Sequence, residues 1–181
     1  MINNIKRLLS LLFLLPLFPV FGQGPEREIS FDAVYRDGVF EEADVEGLRS
    51  MNDGKHYTVT NGDMILKYSY ETGDFVDVLF SAGQLERPGG GSLAEYEFSA
   101  DDKKILVAID KERIYRHSYR ADHYVLDLAD GSLSFLSGSG KQQLASFSPD
   151  GQKISFVRNN NLYVYDLDSR KEKQLTFDGE P

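Results

Sequence analysis

The sequence predicts an all-β protein, an incomplete β-propeller of about three blades, each a four-stranded antiparallel sheet, following a signal peptide. Two recurring landmarks carry that reading. The turns Asp53-Gly54-Lys55, Asp101-Asp102-Lys103 and Asp150-Gly151-Gln152 recur after 48 and then 49 residues. Each is followed by an apolar run: Tyr57 to Thr60, Ile105 to Ile109 and Ile154 to Val157. Further on, Lys67 to Gly73, Val125 to Gly131 and Val164 to Arg170 recur as strand ends running into turns. Turn residues bracketing β-branched and aromatic alternation mark strands, and a period near fifty residues marks propeller blades. A blade cannot bury both of its faces alone, and three blades cannot close a ring. The chain therefore reads as the opening portion of a longer protein, with apolar blade surface exposed at its cut end.

Taken in order, residues 1–22 carry Lys6 and Arg7 and then an apolar run from Leu8 to Phe21, with Val20 and Gly22 fitting cleavage after Gly22. This is the pattern of a secretory signal and predicts a secreted or periplasmic protein. An uncleaved signal would instead leave a membrane anchor, although the run is short for a spanning helix. Residues 23–46 form an N-terminal arm in which Ile29 to Tyr35 predicts a short helix or turn with Ser30 as its cap. Residues 47–181 hold the blades.

Unit one, from Gly47 to Ser81, predicts strands at Tyr57 to Thr60, Met64 to Tyr70 and Phe75 to Phe80, with Asn61-Gly62 as a two-residue hairpin turn. Ala82 to Glu95 is rich in glycine and reads as a flexible connection. Its Gly89-Gly90-Gly91 lacks the Lys-Ser/Thr pair and the strand-to-helix setting of a phosphate loop. Unit two runs from Phe98 to Leu136 and unit three from Phe147 to Thr176. The two landmarks of unit two lie ten residues further apart than those of units one and three, and the extra residues fall around Asp110 to Asp122.

Composition narrows the function. At 41% apolar and 12% aromatic residues the chain can bury a sizeable core, and with no cysteine it has neither a disulfide nor a thiolate nucleophile. The net charge is −9, and −11 once Lys6 and Arg7 are removed with the signal. An acidic surface disfavours nucleic acid and anionic membrane as partners.

The insertion in unit two concentrates Lys111, Arg113, Arg116 and Arg120 with His117, His123, Tyr115 and Tyr119 in an otherwise acidic chain. Insertions on a rigid scaffold commonly carry binding function. Spacing alone favours the plainer reading, a solvated hairpin tip. Arg116 is the candidate binding residue: Tyr115 and His117 flank it and suit holding its guanidinium, whose planar fork of donors matches a peptide carbonyl or a carboxylate. His117 and His123, six residues apart, do not form a natural metal pair, and no metal or cofactor is expected. Ser118 beside His117 is not read as a nucleophile and base, because adjacent strand residues point to opposite faces. No Gly-x-Ser-x-Gly turn exposes a serine, so no catalytic residue is assigned.

Tyr115-Arg116-His117-Ser118-Tyr119, followed by Tyr124-Val125-Leu126-Asp127-Leu128, resembles the arginine-bearing loop of the dipeptidyl peptidase IV family of serine peptidases. Ile29 to Phe40 resembles that family's N-terminal arm, Gly47 to Tyr57 the start of its propeller, and Phe147-Ser148-Pro149-Asp150-Gly151 its blade turn, which many other propellers share. The resemblance implies an eight-bladed propeller covering a C-terminal α/β-hydrolase domain that releases dipeptides from peptide N-termini. It implies that Arg116 contacts a carbonyl oxygen of the bound peptide N-terminus and helps orient a Glu-Glu pair beyond Pro181 that grips the free amine. The catalytic Ser, Asp and His would also lie downstream, leaving this stretch inactive alone, and the whole protein would often be a homodimer. Two other readings stand beside it: a non-enzymatic propeller that binds peptides or proteins, and a related peptidase releasing tripeptides or longer pieces.

Overall fold

The computed structural model describes residues 29–40, 47–88 and 90–180. The predicted signal peptide lies outside the described residues. Within the arm, Phe31–Tyr35 forms a one-turn helix, α1, whose first turn is capped by Ser30 Oγ accepting from the Ala33 amide at 3.1 Å.

The remaining described residues form three four-stranded antiparallel sheets. The first contains β1 (Arg49–Ser50), β2 (His56–Asn61), β3 (Met64–Ser69) and β4 (Phe75–Ser81). The second contains β5 (Leu93–Phe98), β6 (Lys104–Arg113), β7 (Tyr119–Asp127) and β8 (Leu133–Phe135). The third contains β9 (Gln143–Phe147), β10 (Lys153–Arg158), β11 (Asn161–Asp166) and β12 (Lys171–Gln174). Strand neighbours in each sheet follow chain order. This is the all-β, three-blade architecture that the repeats predict. The second and third sheets begin one strand earlier than their sequence units, at β5 and β9, whereas β1 falls inside unit one and ahead of its predicted strands.

The recurring turn has one physical cause in all three sheets. An aspartate side chain accepts from the backbone amide two residues on: Asp53 from Lys55 at 2.8 Å, Asp101 from Lys103 at 3.2 Å and Asp150 from Gln152 at 3.0 Å. The residue between them has positive φ, 65° at Gly54, 55° at Asp102 and 66° at Gly151. Such side-chain-to-backbone bonds stabilise turns at the expense of strand continuation. The hairpin between β2 and β3 corrects the sequence reading. Asn61 pairs with Met64, so the two-residue loop is Gly62-Asp63, and only Gly62 of these two has positive φ.

Two apolar clusters join the sheets. Ile65 and Phe80 of the first sheet pack with Tyr96, Ile105, Val107, Ile109 and Leu126 of the second, and Ala82 and Leu85 of the connection join them. Leu106 and Val125 on the opposite face of the second sheet, with Leu136, pack against Ile154, Phe156 and Tyr163 of the third. β6 therefore buries both faces, which is why Ile105 to Ile109 reads as a continuous apolar run while β10 alternates. The connection from Ala82 is not a free linker: Ala82–Gln84 forms a 3-10 turn, and Ala82 and Leu85 are buried. The outer sheets keep apolar residues exposed, Phe75, Val76 and Val78 on the first and Leu162, Leu175 and Phe177 on or just beyond the third.

Candidate functional site

The insertion in the second sheet is a lengthened hairpin rather than an irregular loop. β6 and β7 pair regularly from Lys104↔Asp127 to Ile109↔Asp122, shift register, and resume at Glu112↔Arg120 and Arg113↔Tyr119. Asp110 takes φ 52° at the shift. The amides of Ile114 and Tyr115 both donate to Ser118 O, at 2.9 and 3.2 Å, closing the tip. Arg116 stands in that tip, exposed. Among the described residues it enters no salt bridge, whereas Lys111, not Arg116, stacks on an aromatic ring of the hairpin, with Nζ 4.2 Å from the Tyr119 centroid. Tyr115 is 77% exposed and, among the described residues, Arg116 stacks on no aromatic ring, so the expected aromatic sandwich does not form.

Beside the tip lies a cavity of about 480 Å³ on which the first strands of all three sheets converge. Arg49 of β1, Glu95 and Glu97 of β5 and Leu144 to Ser146 of β9 form its walls, and His117, Ser118 and Tyr119 line it from the hairpin. Glu95 is 3.6 Å from Arg49 and accepts from Tyr119 Oη at 2.5 Å. Burial, and then the Glu95 carboxylate, push the Tyr119 phenol well above its usual range, so Tyr119 is a fixed donor. Glu97 accepts from Ser146 Oγ at 3.0 Å, joining the second and third sheets across the cavity.

His117 and Ser118 fall in the bend and not in a strand, so strand alternation does not separate them, and both line the cavity. No hydrogen bond links the two among the described residues. His123 is 3% exposed, and its Nδ1 lies 3.1 Å from Gln142 Oε1 and 3.2 Å from Ala121 O. Both neighbours are acceptors, so Nδ1 carries a proton and donates. Burial holds the His123 imidazole below its ordinary pKa, hence neutral.

At the neck of the hairpin, Arg87 donates to Asp110 of β6 and, at 3.3 Å, to Asp122 of β7. Lys141 Nζ donates to Asp110 O at 2.5 Å and lies 2.9 Å from Glu112 Oε1. Glu112 also accepts from Arg120 Nε at 2.7 Å, and Lys141 first, then Arg120, lower its carboxyl pKa. Sequence reasoning singled out the hairpin and Arg116 but missed Arg87, Lys141, Glu95 and Glu97. They belong to a glycine-rich connection, to a turn between sheets and to a strand with no motif.

Residues 99–181 match the family model described as the N-terminal region of dipeptidyl peptidase IV (DPP IV). This stretch belongs to the dipeptidyl peptidase IV family. The crystal structure of Porphyromonas gingivalis dipeptidyl peptidase 4 superposes with a TM-score of 0.68 at 37% identity, over 86% of this chain and 22% of that one. A probable dipeptidyl-aminopeptidase B of Pyrenophora teres f. teres is 34% identical over 138 residues, 75% of this chain and 14% of that protein. A probable dipeptidyl peptidase 4 of Arthroderma benhamiae is 38% identical over 89 residues, 48% of this chain and 11% of that protein. The chain thus spans about a tenth of the curated relatives it matches, and it corresponds to the N-terminal part of a DPP IV family protein. The tricorn protease, at 17% identity and a TM-score of 0.50, shares the fold alone.

Proposed function

We propose that this chain is the N-terminal propeller portion of a secreted or periplasmic, dipeptidyl peptidase IV-like serine peptidase, and that it recognises the front end of a peptide through Arg116. The observation that supports the reading is the presentation of Arg116: an exposed guanidinium on a lengthened hairpin beside a cavity lined by the first strands of three sheets. The planar fork of donors on a guanidinium suits a peptide carbonyl. Fixing that carbonyl fixes how far the scissile bond lies from the peptide's first residue, which is how a binding module sets the cleavage position of a distant nucleophile.

The chemistry in the parent is acyl transfer by a serine with histidine as base, supplied by a C-terminal α/β-hydrolase domain. Residues 1–22 direct export, and the whole protein is a homodimer. In the full-length protein, Arg116→Ala is expected to lower kcat/KM on an Xaa-Pro chromogenic substrate by about ten- to a hundredfold, the equivalent of a charged hydrogen bond of roughly 1.5–3 kcal/mol. An unchanged kcat/KM removes Arg116 from the site. A full-length protein that releases no dipeptide from any such substrate returns the chain to the non-enzymatic reading.

A further inference from the structure

The hairpin that carries Arg116 is held at its neck from both flanking connections, by Arg87 before β5 and by Lys141 before β9. Asp110 on β6 and Asp122 on β7 lie at adjacent register positions, since Asp122 pairs with Ile109. Their carboxylates would repel across the ladder without a cation between them. Arg87 fills that place, donating to both. Asp110 is fixed further by its other carboxylate oxygen, which accepts from the Ser92 amide at 2.9 Å, and by its own amide, which donates to Ser92 O at 2.9 Å. From the opposite side Lys141 grips Asp110 O and Glu112. Arg87 comes from the connection between the first and second sheets and Lys141 from the turn between the second and third. Both side chains are largely covered, 29% and 21% exposed.

Above the register shift only Glu112↔Arg120 and Arg113↔Tyr119 continue the ladder. Two pairs do not hold a hairpin in a fixed direction in water. Above the neck Tyr119 Oη ties one side of the hairpin to Glu95, and the aim of the tip is set by that bond together with the neck. Arg116 is six residues beyond Asp110, up to roughly 20 Å of extended chain, so a tilt of about 5° at the neck displaces the tip by more than 1 Å. Misplacements of about 1 Å cost up to a hundredfold in rate.

We propose that Arg87 and Lys141 are positioning residues for Arg116, two cations that lock the neck of its hairpin to the connections on either side of its sheet and so help set where its guanidinium meets the peptide. The proposal rests on the reading of Arg116 as a peptide contact. Neither cation touches substrate; each acts through the hairpin.

The test uses the full-length protein with Arg87→Met, Lys141→Met, Arg87→Lys, Arg116→Ala and the double variant Arg87→Met/Arg116→Ala. Arg87→Met and Lys141→Met are each expected to lower kcat/KM on an Xaa-Pro substrate by about tenfold, mainly through KM, with Arg87→Lys recovering part of the loss. In the Arg116→Ala background Arg87→Met is expected to add less than about twofold, because a misplaced residue that is already absent has no further effect. Independently of activity, trypsin should cut faster at Arg113, Arg116 or Arg120 when either cation is removed. A native kcat/KM in Arg87→Met and Lys141→Met, or full additivity with Arg116→Ala, overturns the proposal. If Arg116→Ala itself leaves kcat/KM unchanged, the peptide reading falls and the positioning role falls with it, even where trypsin shows the neck loosened. Should Arg87→Met not fold, Lys141→Met carries the same comparison from the other side of the neck.

Discussion

Thr58 of the first sheet and Tyr96 of the second meet as a buried hydroxyl pair, 2.8 Å apart. Tyr96 Oη donates to Gly47 O at 2.7 Å, so within this pair it accepts and Thr58 donates. One phenol thus joins β2, the start of the first sheet and β5, and burial raises its pKa. Tyr96→Phe strands the Gly47 carbonyl and leaves the Thr58 hydroxyl only Arg49 O, at 3.4 Å, and its expected cost is about 1–3 kcal/mol. Thr58→Val leaves the Tyr96 to Gly47 bond intact and should cost about 1 kcal/mol. Urea denaturation of the two single variants and the double variant checks both values. A double variant costing the full sum of the singles would show that the hydroxyls do not act as a pair.

A second cluster is ionic: it lies within the third sheet, between β10 and β12, and reaches Ser137 in the connection that follows β8. Arg158, 7% exposed, donates to Glu172 at 2.9 and 2.5 Å and to Ser137 Oγ at 2.7 Å, and its guanidinium lies 4.2 Å from the Tyr163 ring centroid. Arg158 is the main cause of the lowered Glu172 carboxyl pKa. Removing one partner of a covered pair leaves a charge unpaired, so Arg158→Met should destabilise by about 3 kcal/mol or more. Replacing both, Arg158→Met with Glu172→Met, should cost less than the single change. Thermal unfolding of the two variants distinguishes a pair that stabilises from one that is merely intolerant of being broken.

The neutral His123 makes stability depend on pH. Its folded pKa is depressed, so below pH 6.5 the unfolded chain takes up a proton that the folded chain does not. Stability is then complete above about pH 6.5 and falls as pH drops below it, by at most about 1.4 kcal/mol per unit from this one group. His123→Gln should flatten the slope between pH 6.5 and 5.5 in urea denaturation series. An identical slope in the variant would assign the dependence to other groups.

Much of this architecture was legible because its causes are local. Asp53, Asp101 and Asp150 bond their own backbone two residues on, so the turn that starts each hairpin is written in adjacent residues and repeats visibly. β6 announces its burial on both faces through five consecutive apolar residues. The first strands were missed for the opposite reason: β1 is two residues long, and Glu95 and Glu97 put charges on the cavity face of β5. The hairpin and Arg116 stood out by composition and by resemblance. Its clamp did not, because Arg87 reaches Asp110 and Asp122 from 23 and 35 residues away and only the packing of Ala82 and Leu85 brings it there. A glycine-rich stretch that reads as flexible is in fact pinned at both ends.

Asp102 shows strain held by a contact between sheets. At φ 55° it occupies the position filled by glycine in the other two turns. Its carboxylate accepts from the Asn52 amide at 2.5 Å and from Asn52 Nδ2 at 3.1 Å, tying the second sheet to the first. Aspartate tolerates left-handed backbone better than most side chains, and here the bonds to Asn52 offset the remaining cost. Asp102→Ala loses those bonds and keeps a Cβ at positive φ, whereas Asp102→Gly loses the bonds and relieves the backbone. Asp102→Ala should therefore be less stable than Asp102→Gly by about 1 kcal/mol, with both below the parent. Chemical denaturation of the three proteins checks the order: Asp102→Gly more stable than the parent would mean that the strain outweighs the tie to Asn52, and equal stability of the two variants would mean that the backbone is not strained.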